Sequence, residues 1–157
     1  MFFVKTAFLC LLLSFNAFAA QQDAGTTKVS IYSKETATFY VKGRVNGGKN
    51  TEFMVDTGSG YATINTKAFE EINDSEKVSF IKTVLAVMAD GSNIAMPIYR
   101  IASLNIGENC VIQDIDVAVL PGQTRNILGL SALKKVAPFS FLMEPPTLML
   151  SNCRVAG

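Results

Sequence analysis

The sequence predicts an all-β fold, a small closed β-barrel or sandwich with one or two short helices. Short apolar stretches recur along the chain, and turn signals separate them at regular spacing. Asn46-Gly47, Asp90-Gly91 and Pro121-Gly122 are the strongest of these signals. The chain length is the second observation, because 157 residues with a removable leader fit one domain and not two.

The individual elements follow from the same patterns. Asn-Gly and Asp-Gly each join two apolar stretches, which predicts two hairpins. The stretch that ends at Pro121-Gly122 alternates in part between apolar and polar residues, as a half-buried strand does. The expected order is strands at 38–45, 51–55, 82–88, 93–106 and 111–120, short helices at 67–72 and 130–136, and closing strands at 139–143 and 147–150.

The first residues predict a secretory signal peptide. Lys5 supplies a positive charge, residues 7–18 are almost wholly apolar, and Ala17-Phe18-Ala19 has the form of a cleavage site. About a dozen apolar residues are too few to span a bilayer, which needs about 20. We therefore expect residues 1–19 to be removed, the protein to be exported, and no stable membrane span to remain.

The composition limits which classes of partner and cofactor we expect. Cleavage after residue 19 leaves 138 residues with 13 basic and 13 acidic side chains, a balance that gives no footprint for nucleic acid or an anionic membrane. We assign residues 20–35 to an N-terminal tail and first strand, and residues 36–157 to a single domain. The chain contains no His and no Cys-x-x-Cys, so we expect no metal site and no cofactor.

Two cysteines, Cys110 and Cys153, remain after the expected processing. In an oxidising compartment such a pair commonly forms a disulfide. Pairing cannot be read from sequence, so a bridge within one chain, a bridge between protomers and two free thiols all stay open.

The candidate catalytic residue is Asp56, which ends an apolar strand and opens the tripeptide Asp-Thr-Gly. This position puts the carboxylate at the edge of a core. Gly58 and Gly60 flank Ser59, which suits a sharp turn that a substrate or a second backbone approaches closely. An ordinary strand-to-turn junction would use the same residues. The chain holds no second Asp-Thr-Gly or Asp-Ser-Gly, so a pair of such carboxylates requires two copies.

Together with three further segments, this motif resembles the retropepsin-like aspartic proteases, most closely their single-domain bacterial members. Ile127-Leu128-Gly129 is similar to the family's apolar-apolar-Gly element, whose strand passes through the ψ-shaped loop behind the active site. Ala89-Asp90-Gly91 is similar to the flap, and Val45-Asn46-Gly47 to the hairpin before the catalytic loop. The resemblance covers about residues 36–150 and implies a closed barrel of the retropepsin type.

The resemblance also implies a function, an aspartic endopeptidase that hydrolyses a polypeptide substrate as a homodimer. Asp56 of each copy would form a dyad that holds one proton, with one carboxylate activating water and the other carboxyl polarising the scissile carbonyl. Thr57 would lock the two loops across the dimer axis, and Gly58 and Ser59 would complete each loop. Gly129 would have to be small because the catalytic loop packs against it.

The flap and the compartment are further expectations of this kind. The Asp90-Gly91 hairpin would cover an extended peptide bound along the cleft. A plain, solvent-exposed hairpin with a type I′ turn is the alternative for the same residues. The bacterial resemblance places the exported protein in the periplasm if the source is Gram-negative.

Two other functions stay open from the sequence. A catalytically silent, exported binding module on the same barrel would hold an extended peptide or a partner strand without cutting it. A structural envelope protein would use the motif only as a turn. We do not expect Ser59 to be a nucleophile, because the chain lacks a His to act as its base.

Overall fold

A ring of hydrogen-bonded strands forms the body of the protein in the computed structural model, which describes residues 25–34, 38–73 and 76–154. The predicted signal peptide, residues 1–19, lies outside the described residues. The elements in chain order are β1 (Thr27–Ser30), β2 (Tyr32–Ser33), β3 (Phe39–Val45), β4 (Thr51–Val55), β5 (Ala62–Asn65), α1 (Thr66–Glu70), β6 (Val78–Val87), β7 (Asn93–Ile106), β8 (Cys110–Leu120), β9 (Asn126–Leu128), α2 (Leu130–Leu133) with a 3-10 turn (Lys134–Val136), β10 (Phe139–Met143) and β11 (Pro146–Leu150).

Strand pairing closes the larger sheet on itself. Strands β3, β4, β9, β5, β8 and β7 are neighbours in that order, and β3 also pairs with β7 to complete the ring. Strand β2 continues the sheet beside β3, and β6 forms its other edge beside β7. The predicted all-β barrel with two short helices is therefore confirmed.

A second sheet of three antiparallel strands, in the order β1–β11–β10, joins the two ends of the chain. The sequence predicts an N-terminal tail and first strand for residues 20–35. The structure places two strands in this segment, and both pair inside the fold, β1 with β11 and β2 with β3. The packed part of the chain thus begins before residue 36.

The core follows from the alternation of side chains along the strands. On β3, Val41, Gly43 and Val45 are buried, whereas Lys42 and Arg44 are exposed. Fully burying one large apolar side chain stabilises the fold by about 1.5–3 kcal/mol. The largest fully buried side chains are Phe53, Ile64, Ile98, Ile101, Leu104, Ile106, Ile115, Leu128, Leu133, Leu148 and Leu150.

A smaller apolar group, here called the flap-side cluster, lies apart from this main core. It is formed by Met96 and Ile98 on β7 with Ala118 and Leu120 on β8. Other residues of the same two strands, such as Ile101 of β7, belong to the main core. One pair of strands therefore supports two separate apolar surfaces.

The hairpin predicted at Asn46-Gly47 is confirmed, and one strand boundary differs from the prediction. Asn46-Gly47 forms the turn, with φ of 48° and 76° and a 2.8 Å bond from Gly48 N to Val45 O. It joins β3 and β4, which pair antiparallel from Tyr40 opposite Met54 to Gly43 opposite Thr51. Strand β6 begins at Val78 rather than at residue 82, and a bulge beyond Phe80 interrupts its early register.

The cysteine pair forms a disulfide within one chain. Cys110 at the start of β8 is joined to Cys153, which follows the last strand. Next to this bond, Val111 and Arg154 form a backbone bridge, with 2.9 Å from Val111 N to Arg154 O. The segment after β11 is thereby fixed to the barrel.

A polar cluster on the outside fixes β2. Glu52 accepts hydrogen bonds from the Tyr32 hydroxyl and the Lys34 ammonium group. The Lys34 nitrogen also lies 4.6 Å from the centre of the Tyr40 ring. Burial and the hydrogen bond to Glu52 raise the pKa of Tyr32 to about 12. The hydrogen bond from Lys34 lowers the pKa of Glu52.

Removal of the disulfide should destabilise the protein strongly. The bond closes a loop of 43 residues, which in the chain-entropy model contributes about 4 kcal/mol. We expect Cys110→Ala/Cys153→Ala to lower the free energy of unfolding by about this amount, measured by urea denaturation. Chemically reduced wild-type protein is the control for the altered packing at Cys110. An unchanged unfolding midpoint in both samples would contradict the prediction.

Glu52→Gln should reduce stability at neutral pH and not in acid. Both partners of the ion pair are about half exposed, so the expected loss is at most about 1 kcal/mol. The folded-state pKa of Glu52 lies below its unfolded value, so its stabilisation is present above the unfolded pKa and disappears as the pH falls through the folded pKa.

The stability difference from wild type should therefore shrink below about pH 4.5 in a series of urea denaturations. Glu108→Gln, which changes a carboxylate on an exposed turn, is the matched control. A difference that grew in acid would show that the ion pair is not the cause.

Candidate active site

Asp56 lies immediately beyond the end of β4, where a parallel neighbour holds the backbone. Val55 is in register with Leu128 of β9, and the next amide, Asp56 N, donates to Leu128 O over 3.2 Å. The apolar residues before Asp56 belong to the barrel wall, so the strand brings the carboxylate to the edge of the core, as the sequence predicted. The side chain is half-buried, while Thr57 and Gly58 beside it are exposed.

The loop itself orients the carboxylate. Gly58 N donates to Asp56 Oδ1 over 2.8 Å, and Ser59 N donates to the main-chain oxygen of Asp56 over 3.4 Å. A Cβ at Gly58 would lie 3.1 Å from the same Oδ1, so glycine permits the closest approach. The result is a carboxylate of fixed direction on an accessible turn, which is the arrangement that a general base requires.

The strand behind this loop passes very close to it. Leu130 N donates to Ser59 O over 2.8 Å, and Ser131 N donates to Gly60 O over 3.1 Å. A Cβ at Gly129 would lie 2.1 Å from Tyr61 O, a distance that real Cβ atoms do not reach. The structure thus brings the Asp56-Thr57-Gly58-Ser59 loop and the Ile127-Leu128-Gly129 strand together, in the relation that the resemblance implied.

Ser131 is a supporting residue that the sequence pattern does not predict. Its hydroxyl accepts from Ala62 N and donates to Asp116 O, both over 2.8 Å. These bonds connect the end of the Asp56 loop to the start of α2 and to β8. Serine in the first turn of a short helix is common, so no sequence signal marked this role.

Asn126 is a second supporting residue. It is 6% exposed, and its amide nitrogen donates to Thr51 Oγ1 over 3.0 Å and to Glu52 O over 3.3 Å. Its side-chain oxygen accepts from Asn65 N over 2.9 Å. One buried amide thereby joins β4, β5 and β9, the three strands on which the loop depends.

The flap candidate forms the tip of the β6–β7 hairpin. Met88 N donates to Ser92 O over 2.8 Å, and Gly91 N donates to Met88 O over 2.9 Å. Of Ala89, Asp90 and Gly91, only Gly91 has a positive φ, at 82°. The type I′ turn weighed for this hairpin is therefore wrong, because that turn needs positive φ at both central residues. A type I turn followed by a left-handed glycine fits the observed bonds.

The hairpin is connected to the Asp56 loop through the flap-side cluster. Val84 and Ala86 on β6 and Ile94 on β7 pack against that cluster. Tyr61, at the end of the Asp56 loop, packs against it as well. The inner face of the hairpin and the loop that carries Asp56 therefore border the same apolar surface.

The described residues offer no competing metal centre. Within residues 25–34, 38–73 and 76–154, no group of three or more His, Cys, Asp or Glu side chains could hold a metal ion. In the same part of the chain, no helix is long and apolar enough to cross a membrane.

The closed barrel, the Asp-Thr-Gly loop at the end of β4 and the apolar-apolar-Gly strand behind it define the retropepsin-like class of aspartic protease folds. The sequence profile of the gag-polyprotein putative aspartyl proteases matches residues 41–135, and the chain belongs to this family. No protein with a curated description matches the chain.

A solved structure supports the same fold. A retropepsin-like aspartic protease from Rickettsia conorii superposes with a TM-score of 0.59 at 22% sequence identity. The match covers 84% of this chain and 94% of the other. At this identity the likeness establishes the architecture, and the chemistry must be argued from the site.

Gly129→Ala should disrupt the site and the fold together. The added methyl group would meet the main chain of Tyr61, which cannot move as a side chain can. We expect a loss of about 3 kcal/mol or more in the free energy of unfolding, measured by urea denaturation. Gly60→Ala is the matched control, because no atom lies within 4 Å of the Cβ position there. Similar stability of the two variants would show that the close approach does not constrain the fold.

Proposed function

We propose that the protein is an exported aspartic endopeptidase that hydrolyses peptide bonds as a homodimer. The observation that carries this proposal is the placement of Asp56. Its carboxylate ends a core strand, is oriented by Gly58 N, and lies on an accessible turn braced from behind by the β9 strand.

Each chain supplies one half of the proposed catalytic pair. A single carboxylate cannot both take a proton from water and polarise the substrate carbonyl as an acid. Two carboxyls that lie close together share one proton, since both cannot ionise at that distance. Asp56 of one protomer would activate the water and Asp56 of its partner would act as the acid, and the pair would titrate as a unit.

The proposed substrate is a polypeptide in extended conformation. Strand β6 is an edge of the barrel sheet, so among the described residues it pairs with β7 alone and has backbone groups available on its other side. An extended peptide can add to such an edge by main-chain hydrogen bonds. The flap-side cluster, with Tyr61 and Ile94 beside it, would offer an apolar surface to the peptide's side chains.

The disulfide supports export. Cys110 is 1% exposed and is bonded to Cys153. Structural disulfides persist in oxidising compartments and are rare in the cytosol. This agrees with the secretory signal expected at residues 1–19, and for a Gram-negative source the compartment would be the periplasm.

Asp56→Asn should abolish cleavage and leave the fold intact. The amide oxygen can still accept from Gly58 N, but the side chain can no longer take a proton from water. We expect turnover of a peptide library at acidic pH to fall by at least about a thousandfold, with an unchanged circular dichroism spectrum. Asp114→Asn is the matched control, because Asp114 is exposed on β8 and its φ of 53° is one that asparagine tolerates.

The outcomes separate the enzyme from the binding module. Cleavage retained by Asp56→Asn would rule out the proposed mechanism. A wild-type protein that binds extended peptides without cutting them, and that ignores pepstatin-like transition-state mimics, would be the catalytically silent module, since only a paired dyad should hold the hydroxyl of such a compound.

A further inference from the structure

A basic groove beside β1 is the feature from which we draw a further inference. It is a cavity of about 780 Å³ between the edge of β1 and the outer face of β3. We propose that this groove, defined by Lys28, Lys42 and Arg44, binds an acidic segment of a polypeptide in extended conformation. Its lining includes neither the Asp56 loop nor the flap-side cluster, so it is a second site that does not require the proposed activity.

The positive charges of the groove are not neutralised by neighbouring carboxylates. Lys28, Lys42 and Arg44 are exposed, and none of them takes part in an ion pair within the part of the chain that the structure describes. Lys42 lies opposite Glu52 on β4, but that carboxylate already accepts two other hydrogen bonds. Among the described residues that line the groove, Glu108 alone is acidic. The lining is therefore positive although the net charge of the chain is only +1, and such a surface attracts carboxylates.

The open edge of β1 forms one wall of the groove. Lys28, Val29 and Ser30 all line it, and since successive side chains point to opposite faces of a strand, the groove runs along the strand edge. Ile31 N donates to Pro146 O over 3.3 Å. Because hydrogen-bonded pairs alternate in antiparallel strands, the main-chain groups of Lys28 and Ser30 point away from β11. In the described chain β1 pairs with β11 alone, so these groups are available to an added strand.

The opposite wall presents its charges at the spacing of a strand. Lys42 and Arg44 alternate on β3 with the buried residues Val41, Gly43 and Val45, so both charged side chains lie on the outer face. Residues two positions apart on a strand are about 7 Å apart. Acidic residues at alternate positions of an extended peptide have the same spacing. The match favours an extended acidic peptide over a compact anion.

Hydrogen bonding and packing fix the separation of the two walls. Gly107, in the turn between β7 and β8, has a φ of 60°. Its N–H donates to Lys42 O over 2.8 Å, which joins the turn to β3. A Cβ on the same residue would lie 2.8 Å from Val29 Cγ1, so the turn also lies against β1. The groove is therefore formed in the free chain, as binding sites usually are.

The affinity for an acidic peptide tests the inference. The probe is a fluorescent peptide that alternates Thr and Glu, and its anisotropy is measured with Asp56→Asn, in which the proposed cleavage cannot occur. We expect saturable binding that weakens as salt is added. Lys28→Gln/Arg44→Gln in the same background should weaken it at least about tenfold. Lys134→Gln/Lys135→Gln is the matched control, since it removes two positive charges from exposed residues outside the groove.

Charge reversal gives a second test that does not rest on a loss. Lys28→Glu/Arg44→Glu should bind a peptide that alternates Thr and Lys more tightly than the acidic peptide, the reverse of the preference before the change. The cross-strand neighbours of these residues, Met149 and Asn105, are uncharged, so the new carboxylates face no like charge there. Circular dichroism and thermal melting check that each variant is folded. An unchanged preference for the acidic peptide would overturn the inference.

Backbone methylation separates a peptide site from a site for anions of any kind. In an extended peptide the amides of alternate residues point to the same side, so methylation of either all Thr amides or all Glu amides removes the donors that face β1. We expect one of these two methylated peptides to bind at least about tenfold more weakly than the other, although their charges are equal. Equal binding of both would show a general anion site and would reject the proposed strand addition.

The binding assay also keeps this inference separate from the proposed activity, because it needs no cleavage. Binding of the acidic peptide by a protein whose wild type cuts no peptide would support the groove and reject the endopeptidase. Cleavage by a chain without affinity for the acidic peptide would support the endopeptidase and reject the groove.

In the proposed endopeptidase the groove would hold a part of the substrate distant from the scissile bond, a use that rests on the proposed function. Lys28→Gln/Arg44→Gln should then raise KM for a substrate with an acidic segment and leave kcat unchanged, since the groove lies apart from the Asp56 loop. A substrate without the acidic segment should show no change in KM. An equal rise in KM for both substrates would contradict this role of the groove.

Discussion

The close approach between Gly129 and the backbone of the 59–61 loop is the contact on which the site depends. Since a Cβ at Gly129 would lie 2.1 Å from Tyr61 O, the two backbones meet with no side chain between them. The hydrogen bonds from Leu130 N and Ser131 N to the loop are possible only at this separation. This contact prevents the loop from moving toward β9, and it thereby fixes the position of Asp56.

The parallel pairing of β4 and β9 makes this approach possible. It inserts a strand from the last third of the chain between β4 and β5, which are close in sequence. Asn126 supplies the buried hydrogen bonds that this insertion needs, to Thr51, Glu52 and Asn65. The same insertion brings the ends of β4 and β9 to one place, which is where a carboxylate and its backing strand must lie.

Local signals in the sequence predict most of the fold, and the features that they do not predict depend on long-range contacts. Asp-Gly and Asn-Gly marked their turns because glycine at positive φ is a property of the turn itself. Strand β5 escaped prediction, since four residues that include Thr63 and Asn65 gain strand structure only from β8 and β9 on either side. Ser131 bonds to Ala62 and Asn126 bonds to Thr51, and the residues of each pair lie more than 60 positions apart in the chain. No local sequence pattern encodes such a partner.

The separation of β4 and β9 along the chain also has a consequence for how the protein folds. Phe53 pairs with Asn126 and Val55 pairs with Leu128. The ring of strands therefore cannot close in a chain that ends before β9. Folding that depends on such distant contacts is slow, because the entropy of closing the loop is lost before the contacts form. The Asp56 loop has no backing strand until β9 has paired with β4, so a partial chain that ends before β9 contains the Asp-Thr-Gly tripeptide without the geometry of the site.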